Sequence, residues 1–189
     1  MKKNKFVEVL LPALLIILIV WATDLFKEYQ KPQASTGVEI ESSIPVDDRF
    51  ILEIPKISVA APIIPDVPGS NKETYDKSLE SGVAHFSGTG KPGEGRNIFI
   101  FGHSSNYFWA PGDYKDIFKN LDKLSVDDEI TVLYQGKIYK YKVVEEKIVK
   151  PTQTDVLMDT GNGEQLTLMT CTPVGTSLNR LIIIAKPVN

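Results

Sequence analysis

The sequence predicts a mostly-β domain. From Phe50 onward, short apolar stretches alternate with Gly, Pro and Asn, the punctuation of strands and turns. Tyr139, Tyr141 and Val143 alternate with Lys140 and Lys142, the period of two of a half-buried strand. Gln135-Gly136 parts two such stretches as a tight hairpin turn does. Helical signals are weak and short. Strands recurring at this spacing indicate a barrel or a sandwich.

The elements follow in order. Phe50–Ile54 and Ser58–Ile64 read as strands separated by Pro55. Asn97–Phe101 is a dense apolar run closed by Gly102, and Glu129–Tyr134 and Lys137–Val149 flank the hairpin turn. Gln165–Cys171 and Arg180–Lys186 complete the set. Short helices are expected at Glu73–Leu79, Tyr114–Leu121 and Thr154–Met158. There is no internal repeat and no low-complexity tract.

The N-terminus has a different character. Lys2, Lys3 and Lys5 precede an apolar run from Phe6 to Ala22, 17 residues broken only by Glu8 and Pro12. That lies at the lower edge of the roughly 17–25 residues needed to span a bilayer as a helix. Glu8 sits near one end, and Trp21 stands at the other, where interfacial aromatics anchor helices. The lysine cluster before the run predicts a single-pass anchor with residues 1–5 in the cytoplasm and the rest exported. A cleaved signal peptide is the rival reading, with Val20-Trp21-Ala22 as a loose cleavage site; either way the domain is exported. Residues 23–48, polar with Pro32, Gly37 and Pro45, read as an extracytoplasmic linker. The domain proper is expected at 49–189.

The chain carries a formal net charge of −3 over its 189 residues. Its first 31 residues hold five Lys/Arg against three acids, so the remainder carries −5. An acidic domain without a basic stripe argues against a nucleic-acid partner. One cysteine, Cys171, excludes an internal disulfide and a metal site built on paired cysteines.

Three residue types could carry chemistry. Cys171 ends the run Leu166-Thr167-Leu168-Met169-Thr170-Cys171. In a strand, Leu166, Leu168 and Thr170 share the face expected to meet the core, and Thr167, Met169 and Cys171 share the opposite, more open face. A free cysteine is commonly a buried, inert residue, so the nucleophile and the inert reading both stand at this point. Of the two histidines, His103 follows Asn97–Phe101 across Gly102, and His85 lies in a stretch rich in Gly and Ser. A thiol with a free pKa of about 8.5 needs a basic neighbour to act near neutrality. His103, held at a strand end, is the better candidate. Arg180 heads the most apolar strand of the domain, either as a solvated strand terminus or as a fork of donors aimed at a carbonyl or an oxyanion.

Taken together, these segments resemble the sortase family. Leu166–Cys171 resembles its TLxTC motif, Asn179-Arg180-Leu181-Ile182-Ile183 its R-L-apolar strand, and Asn97–His103 the strand ending in its catalytic histidine. Gly82–Thr89, with Pro92-Gly93-Glu94, resembles the segment before that strand. The resemblance covers about Phe50 to Lys186. Cys171-Thr172-Pro173 is closer to classes C and E than to class A, and Ser104 stands where several classes have Arg after the histidine.

The resemblance implies an eight-stranded β-barrel with short helices behind the transmembrane helix. It implies Cys171 as nucleophile, His103 as general acid/base, and Arg180 as support for substrate and oxyanion. The implied reaction cleaves an LPxTG-like sorting signal between Thr and Gly through a thioacyl-enzyme, then passes the acyl group to an amine. The implied partners are surface proteins or pilins with a C-terminal sorting signal, and an amine from a peptidoglycan precursor or a pilin lysine. His85 also resembles a histidine found in some sortases and is secondary. No cofactor is expected. Some sortases bind calcium through loop acids, but Asp127, Asp128, Glu129, Glu145 and Glu146 are expected to be a solvated face. The aromatic stretch Ser104–Lys119 is either a substrate wall or packing. A hydrolysis-only cysteine endopeptidase and an inactive, membrane-tethered binding module on the same barrel are the alternatives.

Overall fold

The computed structural model describes residues 48–106, 109 and 111–188. Residues 1–5, the apolar segment 6–22, and all of the linker 23–48 except its last residue lie outside the described residues. Among the described residues no helix is long and apolar enough to cross a membrane.

Eight strands close into a barrel: β1 (Phe50–Ile54), β2 (Val59–Val67), β3 (Val83–Phe86), β4 (Asn97–Phe101), β5 (Glu129–Tyr134), β6 (Lys137–Val149), β7 (Gln165–Thr172) and β8 (Asn179–Pro187). Their order around the barrel is β1-β2-β3-β4-β7-β8-β6-β5, and β5 returns to β1. The β2–β3 and β4–β7 pairs are parallel, and the others are antiparallel. Parallel neighbours need a crossover. Between β2 and β3 it is the α-helix α1 (Lys72–Ser81), with the Asn71 side chain accepting from the Thr74 N–H at 3.0 Å as its N-cap. The helix gives way to β3 at Gly82, where a Cβ would come within 2.2 Å of the Pro62 carbonyl oxygen.

Three sequence expectations change. Val83–Phe86 is a strand although it lies in a Gly- and Ser-rich stretch; its four residues are too few to show a period. Tyr114–Leu121 forms no regular helix but a run of turns ending in a 3-10 turn at Leu121–Lys123. Thr154–Met158 tightens to a 3-10 turn at Asp155–Leu157.

Alternation decides where each strand's side chains go. Leu52, Ile54, Ile98, Ile100, Leu166 and Leu168 fill the barrel. The other face of β4 carries Phe99 and Phe101, which pack outside the barrel with Val67, Leu79 and Ala84 beneath α1. β4 is therefore buried on both faces, which is why its sequence is a continuous apolar run. Outside β8, Ile182 and Ile184 cluster with Val149. The outward face of β7 is less open than its sequence suggests. Thr167 is buried because its hydroxyl donates to Asn97 Oδ1 at 2.8 Å. Asn97 Nδ2 in turn donates to the Val156 and Met158 carbonyls at 3.0 and 3.3 Å. This buried polar network ties the segment between β6 and β7 to the barrel wall.

Candidate active site

The site forms where β4, β7 and β8 end. β7 and β8 are antiparallel with Cys171 directly opposite Arg180. Directly paired residues point to the same face, with Cβ atoms about 4.5–5.5 Å apart. The register, fixed by Leu168 against Ile183 and Thr170 against Leu181 in the ladder, thus places thiol and guanidinium side by side on the outer face of the barrel. Arg180 Nη1 donates to the carbonyls of Ser177 and Asn179 at 3.2 and 3.0 Å. Among the described residues no carboxylate pairs with it. The guanidinium is aimed by its own loop, and its positive charge is left available to a ligand.

His103 arrives from the neighbouring strand. β4 runs parallel to β7 with Phe101 opposite Met169. The pairing continues one step beyond β4, where the Gly102 N–H donates to the Met169 carbonyl at 3.1 Å and the Thr170 hydroxyl donates to the Gly102 carbonyl at 2.8 Å. Residue 102 must be small, since a Cβ there would lie 2.8 Å from the Phe118 ring. The Phe118 N–H then donates to the His103 carbonyl at 2.9 Å, fixing the backbone at the histidine. His103 and Cys171 line one open cavity of about 530 Å³ with Ser104, Ser105 and the loop at Gly175–Ser177. The Gly175 N–H donates to Ser105 Oγ at 3.0 Å, joining the loop after the cysteine to the loop after the histidine. Burial holds the His103 pKa below its usual 6.5, partly opposed by the nearby Asp76 carboxylate. The imidazole is therefore predominantly neutral at pH 7 and able to accept a proton.

His85 is excluded from this arrangement. It is completely buried. Its Nε2 donates to the Gly90 carbonyl at 2.9 Å and lies 3.0 Å from Thr89 Oγ1, while Nδ1 accepts from the Asp66 N–H at 3.3 Å. It clasps the turn after β3, and both ring nitrogens are engaged there.

Beside Arg180 lies a second, apolar cavity of about 140 Å³, walled by Tyr75, Phe99, Phe101, Val156, Leu157 and Met169 among others. Its far wall is the segment that Asn97 tethers. Tyr75 and Asp76 are site residues that the sequence reading missed. Both sit on α1, and the only available signal was Tyr75 four residues before Leu79, on the buried stripe of a short helix.

Three of the five loop acids are engaged with cations. Asp128 pairs with Lys56 at 2.6 Å, Glu129 with Lys140 at 2.9 Å, and Glu145 with Lys147 at 3.3 Å. Among the described residues no group of three His, Cys, Asp or Glu side chains is disposed to hold a metal ion. Of the aromatic stretch, Tyr107 and Phe108 lie outside the described residues, and Trp109 is 68% exposed.

The chain is 30% identical over 141 residues to Sortase D of Bacillus subtilis, covering 73% of this chain and 63% of that protein. To Sortase SrtE1 of Streptomyces coelicolor it is 26% identical over 190 residues, covering 89% and 51%. It thus spans less than two thirds of the length of either curated relative. Among solved structures it is similar to a Clostridium perfringens Sortase D5 transpeptidase, with 32% identity, TM-score 0.60, and coverage of 76% of this chain and 80% of that one. It is also similar to sortase C-1 from Actinomyces oris, with 30% identity, TM-score 0.62, and 76% of each chain covered. A family model described as the Sortase domain matches residues 52–188, a span that contains all but the first two residues of the barrel and the whole Cys171, His103 and Arg180 cluster, and the chain belongs to the sortase family.

Proposed function

We propose that this protein is a cysteine transpeptidase that acts outside the cell membrane. The reading rests chiefly on Cys171 facing Arg180 across the β7–β8 ladder while opening with His103 onto one cavity. Neutral His103 takes the proton of the Cys171 thiol, and the thiolate attacks the carbonyl carbon of the Thr–Gly bond in an LPxTG-like sorting signal. The displaced electron pair collects on the carbonyl oxygen, where the Arg180 guanidinium stabilises it. When the pair returns, the C–N bond breaks and the imidazolium passes its proton to the leaving amine. The thioacyl-enzyme that remains splits one hard acyl transfer into two easier ones. An incoming amine then loses its proton to His103, forms the new amide and releases the thiolate.

The apolar cavity beside Arg180 suits the aliphatic part of such a signal, since it offers buried apolar wall next to a single charged donor. Surface proteins or pilins with a C-terminal sorting signal are the acyl donors, and a peptidoglycan-precursor amine or a pilin lysine is the acceptor. Residues 6–22 anchor the chain in the membrane with residues 1–5 inside and the catalytic domain outside. The chemistry uses no cofactor.

The test is incubation of the domain from about Ser43 with a panel of LPxTG-like peptides, followed by intact mass. A thioester present in wild type and absent in Cys171→Ala is expected. Added hydroxylamine or amino-terminal glycine peptide should divert the acyl group; if water alone resolves the adduct, the protein is a hydrolytic endopeptidase. A Cys171 that neither acylates nor alkylates would mark an inactive binding module.

A further inference from the structure

Tyr75 is a polar side chain of the site that the mechanism above leaves without a task. It sits on α1 with its ring stacked on Phe101, the centroids 4.8 Å apart and the planes 11° from parallel. Phe101 is paired with Met169, two residues before Cys171 and on its face. The stack therefore sets the ring beside the β4–β7 ladder. Tyr75 and Arg180 line the same apolar cavity. Among the described residues its hydroxyl has no hydrogen-bond partner, although most of the ring is held against Phe101 and the cluster beneath α1. The hydroxyl is open to solvent and free to donate to a ligand.

The charges around it agree. Burial first, and then the negative charge of the Cys171 thiolate, push the Tyr75 pKa up to about 12, against the pull of Arg180. The phenol thus stays protonated throughout the neutral range and feels both members of the Cys171–Arg180 pair. A neutral, preorganised O–H in an apolar cavity is a strong donor to any oxygen that gains charge there.

We propose that Tyr75 is a catalytic hydrogen-bond donor that, with Arg180, holds the acyl oxygen of the substrate as it becomes an oxyanion at Cys171. The inference rests on the acyl-transfer reading above. No proton leaves the phenol. The sulfur–carbon bond forms, the carbonyl electron pair moves to oxygen between the phenol and the guanidinium, and it returns when the carbon–nitrogen bond breaks and His103 protonates the amine. In the acyl complex the substrate oxygen accepts from the hydroxyl.

Tyr75→Phe tests this, because it keeps the ring stack and the apolar wall and removes only the hydroxyl. Wild type and variant are compared in steady-state cleavage of the LPxTG-like peptide that wild type accepts best, in Cys171 alkylation by iodoacetamide, and in Tm. The expected result is a fall in kcat/KM of about tenfold to hundredfold, carried by kcat. Alkylation should stay within twofold and Tm unchanged, since iodoacetamide makes no oxyanion. A kcat/KM within twofold of wild type overturns the inference and leaves the acyl-transfer reading standing. A loss carried wholly by KM overturns it too, because it places the hydroxyl on the ground state. Alkylation falling in step with turnover overturns it by placing the effect on the thiol. A wild type that alkylates but acylates with no peptide overturns the acyl-transfer reading and this inference with it.

Discussion

Cys171 and Arg180 are nine residues apart in the chain and directly opposed in the β7–β8 ladder, so the backbone register itself sets the spacing between thiol and guanidinium. A shift of one residue would send one of the two side chains into the barrel and leave the other outside. The buried inner pairs, Thr170 with Leu181 and Leu168 with Ile183, oppose that shift by burying on one face only.

Arg180→Lys keeps the charge but loses the planar fork of donors. If the guanidinium supports an oxyanion, kcat/KM should fall by about a hundredfold or more in Arg180→Ala and by nearly as much in Arg180→Lys. Urea midpoints should change little, because the side chain is only half-buried. Peptide cleavage and equilibrium unfolding on the same samples check both halves of the prediction.

The two histidines should separate cleanly. His103→Ala is expected to abolish turnover while leaving stability within about 1 kcal/mol of wild type. His85→Ala removes a fully buried ring that engages Gly90 and Asp66, so it should cost about 2–3 kcal/mol and reduce turnover only through unfolding. Full activity of folded His103→Ala would reverse the assignment.

Acid should weaken the fold earlier than carboxylates alone would. Burial is the main cause that lowers the pKa of both His85 and His103 below 6.5. The unfolded chain therefore takes up protons, near pH 6.5, that the folded chain resists. The stability at stake is fully present above pH 6.5 and is lost as pH falls through the lower folded-state values. Urea unfolding midpoints should decline between pH 7.5 and pH 5, and His85→Gln should flatten that decline.

Asn97→Leu should loosen the substrate cavity without touching the chemistry. It removes the donor that holds the Val156 and Met158 carbonyls, and Val156 and Leu157 wall the apolar cavity. A rise in KM of several-fold, with less change in kcat, is the expected outcome. Faster amide exchange at 155–158 should accompany it.

Glu164 fastens a second corner. Its carboxylate accepts from the buried Tyr141 hydroxyl at 2.8 Å and from the N–H groups of Gly93 and Gly95 at 2.8 and 3.1 Å. Burial, with Glu164 adding to it, raises the Tyr141 pKa. Glu164→Ala strands that hydroxyl and two amides and should cost about 1–3 kcal/mol, whereas Tyr141→Phe should cost less. Thermal unfolding of the two variants gives the order.

Much of this was legible in the chain. Seven of the eight strands announced themselves because an apolar run or a period of two survives in the sequence wherever one face is buried. β3 did not, since four residues containing His85 carry no period and its burial comes from α1 and β4 packed around it. Tyr114–Leu121 shows the reverse failure: its apolar residues pack inward from turns, and hydrophobic spacing alone does not distinguish those from a helix. Thr167 was expected on an open face and is buried, because its hydroxyl donates to Asn97 Oδ1, 70 positions away in the chain.

The sequence by itself determined the β-rich class, the candidates Cys171, His103 and Arg180, and the family they resemble, because strand alternation and short motifs are local properties of the chain. Only the tertiary structure decided that Cys171 faces Arg180, that His103 and not His85 shares its cavity, and that Tyr75, from a helix nearly a hundred residues before the cysteine, lines the apolar cavity beside Arg180. Ladder register and helix docking are set by the burial of distant apolar faces against one another, and no local stretch of sequence contains that information.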